Sequence, residues 1–337
     1  MRSKNNLVAF GLVVGLSLVI FAFSATKPTP MSLPIPSGWP KPVYDFSKNP
    51  LTQEGFELGR RLFYDPILSR DQTISCASCH LQATGFTHVD HDLSHGIDGA
   101  IGTRNSMTIM NVAWSKYFMW DGGVNHLDMQ PLAPITSPLE MDETLDCLVK
   151  KLKVSPRYKA LFYRAFEDSM ATGQRVLLAL SQFVLQLNSS NSKYDKYLRK
   201  EAGGNFTSQE INGLALFRTH CASCHTEPLF TNNGFEKNGL PVDTTLNDFG
   251  RMKITQKSSD SLKFKVPTLR NIQFTFPYMH DGRFQKLREV VNHYATTHQL
   301  KKPIVLTPNE KVDIVGFLLT LTDESFLFDK RLGYPRE

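Results

Sequence analysis

Apolar residues in this chain return at a helical period nearly everywhere a period can be read. Phe56, Gly59 and Phe63 share one face, and Leu145, Leu148, Val149 and Leu152 form an i, i+3, i+4, i+7 stripe. Ser155-Pro156 reads as an N-cap with proline at the first helical position, followed by an apolar face of Tyr158, Leu161, Phe162, Ala165 and Phe166. Val176, Leu180, Phe183, Val184 and Leu187 mark a longer helix, which Asn188 to Asn191 breaks. Thr207-x-x-Glu210 is a capping box that opens a helix through Ile211, Leu214 and Phe217. A second box, Thr307-Pro308-Asn309-Glu310, predicts a helix with Val312, Val315, Leu318 and Leu319 turned inward. Residues 238–263 are polar and turn-rich and read as a loop. No alternating run makes a convincing strand, so the predicted class is all-α.

The chemistry lies in the cysteines. Cys-x-x-Cys-His occurs twice, as Cys76-Ala77-Ser78-Cys79-His80 and Cys221-Ala222-Ser223-Cys224-His225. Two residues between the thiols let both sulfurs reach one porphyrin edge, and the next imidazole can take one face of the iron. Two such pentapeptides with the same inner Ala-Ser predict two covalently bound c-type haems. A zinc site would bring its paired knuckles within roughly 15–20 residues of each other, and these lie in different halves of the chain. A thioredoxin-like pair expects a βαβ context, and a disulfide framework belongs to much smaller scaffolds. Cys147 is left over and is expected to be a quiet, partly buried thiol. Each half thus reads as helix, motif, irregular segment and further helices. That order is a duplicated cytochrome-c-like unit, two haem domains in tandem, with its seam near 200–206.

Charge and the N-terminal end add little to this and remove some classes. The formal net charge is +6, and it is dispersed. Haem propionates would bring it near neutral, and no basic helix or aromatic-basic stripe points to nucleic acid. Arg2 and Lys4 precede an apolar or small run from Leu7 to Phe23, ending at Ser24-Ala25-Thr26. That pattern favours a signal peptide over residues 1–25, with an uncleaved anchor as the alternative. Either way the folded part is expected outside the cytoplasmic membrane, in the periplasm. Six prolines between Lys27 and Pro42 predict an extended tether over 26–45. The haem domains are then expected at 46–202 and 203–337.

Outside the haem motifs, Trp120-Asp121-Gly122, Gln130, Glu140-Met141 and Pro277-Tyr278-Met279-His280-Asp281-Gly282 resemble the bacterial di-haem cytochrome c peroxidase and MauG family. The resemblance covers about Phe56 to Leu321. It implies an enzyme that reduces hydrogen peroxide at the N-terminal haem, with electrons arriving at the C-terminal haem from a small cytochrome c or cupredoxin. The alternatives are a MauG-type oxidase that modifies a partner protein and a non-enzymatic di-haem electron carrier. The family commonly forms homodimers.

Glu140 matches the family's distal acid-base glutamate, Gln130 its pocket glutamine and Trp120 the tryptophan between the haems. Read without the family, Glu140 could equally favour the start of the following helix, and Trp120 could be core. His95, fifteen residues after His80, stands near the removable distal histidine of the peroxidases. It reads equally as a solvated loop residue, as His88 and His91 do. In the second half the peroxidases use methionine where this chain has Tyr294, as MauG does, with His293 and His298 as nearby alternatives. An anionic phenolate lowers a haem's potential where a thioether raises it. The resemblance also implies one Ca²⁺ between the domains, held by Asn105 and by carbonyls of the Thr275-Phe276-Pro277 segment. Calcium accepts such an amide-and-carbonyl set with water completing the shell.

Overall fold

The computed structural model describes residues 27–297, 300 and 303–336. The signal-peptide reading of residues 1–25 and the candidate ligand His298 lie outside the described residues. Among those residues no helix is long and apolar enough to cross a membrane.

The chain is mostly helical. Helix α1, Gln53–Tyr64, is capped by Thr52, whose hydroxyl accepts from Gly55 N, and it buries Phe56, Leu58, Gly59, Leu62 and Phe63. The first motif forms a single turn, α2, Cys76–Cys79. After a long irregular stretch come α3 (Leu132–Thr136), α4 (Leu145–Val154), α5 (Pro156–Phe166) and α6 (Gly173–Leu185). Ser155 caps α5 with Pro156 inside the first turn, as its sequence predicts. Beyond α7 (Lys193–Arg199), α8 (Ser208–His220) leads into the second motif. The second half closes with α9 (Met252–Thr255), α10 (Leu287–Thr296), α11 (Pro308–Leu319) and α12 (Glu324–Leu327). Both predicted capping boxes form, at Thr207–Glu210 and Thr307–Glu310.

One packing device appears in each half. A Cβ added at Gly59 of α1 would fall 1.9 Å from the Ala179 carbonyl oxygen of α6. A Cβ at Gly213 of α8 would fall 2.0 Å from the Asp313 carbonyl oxygen of α11. Only glycine lets the helix that feeds each motif touch the backbone of the helix that closes its half.

Two apolar cores result. The first gathers α1, α4, α5 and α6, and the second gathers Leu214 and Phe217 of α8 with Leu287, Val291, Ile314, Phe317 and Leu318. The chain exchanges pieces between them. Tyr194 of α7 sits in the second core, while Phe326, Leu327 and Leu332 return to the first. Buried Asp323 fastens that return: its Oδ2 accepts from Ser189 Oγ and from the amides of Ser190 and Asn191. Those residues are the predicted break after α6.

Several expectations need correction. The inner face of α11 is Ile314, Phe317 and Leu318, while Val312 and Leu319 are exposed. Both stripes are apolar at helical spacing, and only the second faces α8. Ile211 is likewise exposed. Cys147 is exposed rather than partly buried. It precedes Leu148, which with Leu152 defines the buried side of α4, and one residue is about 100° of helical turn. A two-stranded antiparallel sheet, β1 (Phe235–Lys237) with β2 (Lys263–Lys265), pairs Phe235 with Lys265. Three residues are too few to leave an alternation in the sequence. The proline-rich segment is extended but not a free tether. Met31 N donates to Leu51 O, Val43 and Tyr44 N to Ala113 O, and Trp114 Nε1 to Pro40 O. Met31, Leu33, Trp39, Tyr44 and Phe46 pack on the first core.

Candidate active site

Each motif fixes its histidine in the same way. His80 Nδ1 lies 2.8 Å from Phe86 O, and His225 Nδ1 lies 3.0 Å from Phe230 O. A carbonyl only accepts, so each Nδ1 carries the proton and each Nε2 keeps its lone pair, the form that binds a metal. Burial pushes both imidazoles to lower pKa, which keeps them neutral. Both acceptor carbonyls belong to phenylalanines in the left-handed region, at φ 59° and 54°. Phe86-Thr87 and Phe230-Thr231 follow the motifs at nearly equal distance, a repeat in the sequence that could have revealed this second layer.

No disulfide joins the motif cysteines among the described residues. Burial, with Cys79 nearby, pushes Cys76 up to about 12, and burial with Cys224 does the same to Cys221. Protonated, paired and beside a metal-ready imidazole, they suit addition of S–H across a vinyl group.

A cavity of about 410 Å³ opens at the first motif. That volume is within the usual range for a small-molecule or cofactor site. Cys76, Cys79 and His80 line it together with Trp120, Gln130, Glu140 and His95. The resemblance places Glu140 and Gln130 at the first haem and Trp120 between the haems, with His95 as ligand or solvated loop residue, and the fold brings all four onto one wall system. Glu140 is held by its backbone, with N donating to Ser137 O and O accepting from Ile97 N. Its carboxyl has no hydrogen-bond partner among the described residues, and burial raises its pKa above the ordinary glutamate range. The Glu140 carboxylate also acts on both thiols, pushing them up, which puts it beside the first motif. Gln130 Nε2 contacts Met119 Sδ at 3.8 Å. His95 is stacked on His91, centroids 4.1 Å apart and rings 9° from parallel, and His91 stacks on His88 at 5.1 Å. Those three imidazoles form a column, with His91 exposed as expected and His88 and His95 half-buried.

Trp120 joins the halves. Its Nε1 donates to Asn105 O at 2.9 Å, and its carbonyl accepts from Lys265 N at 2.7 Å. Asn105 in turn donates from its amide to Pro277 O and from its backbone N to His280 O. The fold therefore brings Asn105 and Pro277 together across the halves. Thr275 lies against Gly85 instead, where a Cβ would fall 2.9 Å from its Cγ2. Sequence reasoning missed Arg104, which bridges Asp121 at 2.6 Å and Asp248 at 2.7 Å. Burial raises Asp248, but the Arg104 hydrogen bonds outweigh it and hold that carboxyl at about 2.

In the second half Tyr294 of α10 lies among the motif residues. Burial raises its phenol above the ordinary range, and the Cys221 and Cys224 thiols add to the rise. The neighbouring His293 is committed elsewhere, with Nε2 2.7 Å from Asn238 O. His280 packs flat against Phe264 at 3.6 Å.

Comparison with known proteins follows the same lines. The sequence model of the di-haem cytochrome c peroxidase family matches residues 53–203. The methylamine utilization protein MauG of Methylorubrum extorquens is 35% identical, over 85% of this chain and 83% of its own. The cytochrome c551 peroxidase of Nitrosomonas europaea is 34% identical, over 80% of each chain. Among solved structures, a MauG-like protein associated with microbial copper homeostasis superposes with a TM-score of 0.81 at 31% identity, covering 90% of this chain and 99% of that one.

Proposed function

Because the chain belongs to the di-haem cytochrome c peroxidase and MauG family, we propose that its first motif builds the peroxide site and its second the electron-entry site. The protein is a di-haem peroxidase, an oxidoreductase with peroxide as substrate. That membership rules out the plain electron carrier. We assign one haem domain to each motif, divided near 202/203 apart from the exchanged core pieces. Cys76 and Cys79 would hold one haem covalently with His80 toward its iron, and Cys221, Cys224 and His225 would hold the other.

The observation that carries this division is Glu140, a half-buried carboxyl with no hydrogen-bond partner among the described residues, on the wall of the cavity beside Cys76 and Cys79. A haem held there supplies the iron at which the peroxide O–O bond is split. Glu140 takes the proton from the inner oxygen and returns it to the leaving one, work that a pKa raised toward neutrality favours. Gln130 orients the peroxide by its amide. The balance is one peroxide, two protons and two electrons to two waters, and Trp120 is the route by which electrons cross from the second half. A haem bound here would leave its far face to Glu140 and Gln130 if His95, stacked on His91, stays out of the iron's coordination. Tyr294 completes the second iron, for which proximity to Cys221 and Cys224 is the support. The Asn105–Pro277 contact supports a Ca²⁺ between the halves, with the Asn105 amide oxygen and the carbonyls of 275–277 as ligands. The leader pattern of residues 1–25 supports export to the periplasm. Reduced by a small cytochrome c or cupredoxin, the protein should turn over hydrogen peroxide; no turnover with any such donor would remove the peroxidase reading.

A second reading rests on Tyr294. A phenolate stabilises ferric iron and makes storage of an electron on the second haem difficult. With that ligand the oxidising equivalents of peroxide can be drawn from a partner protein's side chains, as in a MauG-type oxidase. Peroxide-dependent oxidation of a partner without added reductant would distinguish it.

A further inference from the structure

The cavity wall carries one cation that no described residue neutralises. Lys265 ends β2, its backbone N bonded to Trp120 O, and the residue is 6% exposed. Side chains alternate along a strand. Phe264 turns to stack on His280, while Lys263 and Lys265 share the other face. Lys263 reaches Asp260 at 2.9 Å. Lys265 lines the cavity instead, and its ammonium has no hydrogen bond or ion pair to any described residue. The other cations on this wall are engaged: Arg104 by Asp121 and Asp248, and Lys253 by Asp248 at 3.6 Å. Burial alone lowers the Lys265 amine to about 8. A buried ammonium without a counter-charge or hydrogen bond is unfavourable.

The carboxylates on the same wall do not serve it. Asp121 is taken by Arg104, and Glu140 stands beside the cysteines. The missing anion must come with whatever fills the cavity. We propose that Lys265, a residue of the second half, binds a propionate carboxylate of the haem attached to the first motif. The cofactor then ties the halves together beside Trp120, with a charge-assisted hydrogen bond in a site of low dielectric. This rests on the reading that haem occupies the cavity.

The test uses the holoprotein with Lys265→Met and Lys265→Arg, after mass spectrometry has counted the haems. A wild-type chain without haem would overturn the occupancy reading and this inference with it. With both haems in place, Lys265→Met leaves a carboxylate uncompensated, which favours ferric iron. The potential of one haem should fall, and its propionate bending band in the resonance Raman spectrum should shift. Lys265→Arg should restore the potential while moving the band, since a guanidinium replaces the ammonium. Unchanged potentials and an unchanged band in Lys265→Met would overturn the proposal. Should Lys265→Met fail to fold, an unshifted band in Lys265→Arg does so.

Discussion

The two halves share a frame and differ in what stands on it. In each, a glycine lets the entering helix touch the closing one, and the motif histidine donates Nδ1–H to the carbonyl of a phenylalanine at positive φ. In each, a Met-x-Asp-Gly turn is closed by an antiparallel bridge, Phe118 with Val124 and Tyr278 with Phe284. Met119 and Met279 take φ 68° and 73° in these turns. The first turn presents Trp120 to the cavity, whereas the second presents His280, packed against Phe264. The first half keeps a half-buried acid beside its cysteines, and the second keeps a half-buried phenol beside its own. On the proposed reading, the shared frame is where each cofactor attaches, and single side chains on the far side decide what each half does with it.

The sharpest break in that comparison is Glu140→Gln. Peroxide turnover should fall about 10²–10⁴-fold, the usual cost of losing a general acid-base group, with both haem spectra retained. Stability should move the other way. The folded pKa of Glu140 is raised, so wild type carries the cost of a buried carboxylate as pH rises through it. Glu140→Gln should melt higher than wild type at neutral pH, and the two should converge below the ordinary glutamate range.

The second half stands on the Asp195–Arg270 pair, 2.8 Å apart and almost fully buried. Burial raises the Asp195 carboxyl, but hydrogen bonds from Arg270 and Ser192 outweigh it and leave the pKa lowered. Asp195→Ala should cost about 3–5 kcal/mol in denaturant unfolding because it strands the guanidinium. The pair's stabilisation should be full above the ordinary aspartate range and be lost as pH falls through the depressed folded pKa.

Tyr294→Met should make the second half more like a peroxidase electron store. Spectroelectrochemistry should show that haem's potential rise and its ferric spectrum change, while the first haem's spectrum stays as it was. An unchanged spectrum would reduce Tyr294 to packing. The smallest effect belongs to the metal between the halves. Chelation, checked by elemental analysis, should slow peroxide turnover and alter haem spin state, and Ca²⁺ should restore both; metal-free protein that behaves like the untreated enzyme would remove the site.

Much of the frame is legible in the sequence because caps and helical periods are local. Thr207–Glu210, Thr307–Glu310 and Ser155-Pro156 each form as their residue types dictate. Where two apolar stripes compete on one helix, as in α11, period alone cannot choose, and contact with α8 decides. Cys147 fails for a related reason, since a stripe gives the buried arc and not its edge. The packing of residues 27–46 is invisible because extended proline-rich chain looks alike free or docked. Around the site, Glu140, Gln130 and Trp120 were legible only through the family motifs. Lys265 was not legible at all, because nothing in a three-residue strand says that its partner residues face elsewhere.

The central claim is that the first copy is open and the second closed. Cyanide added to the diferric protein, followed by EPR, asks this directly. The account predicts that one haem takes cyanide, that its affinity changes in Glu140→Gln, and that the signal altered by Tyr294→Met stays untouched. Cyanide bound at the haem that responds to Tyr294→Met, or at both haems, would contradict it.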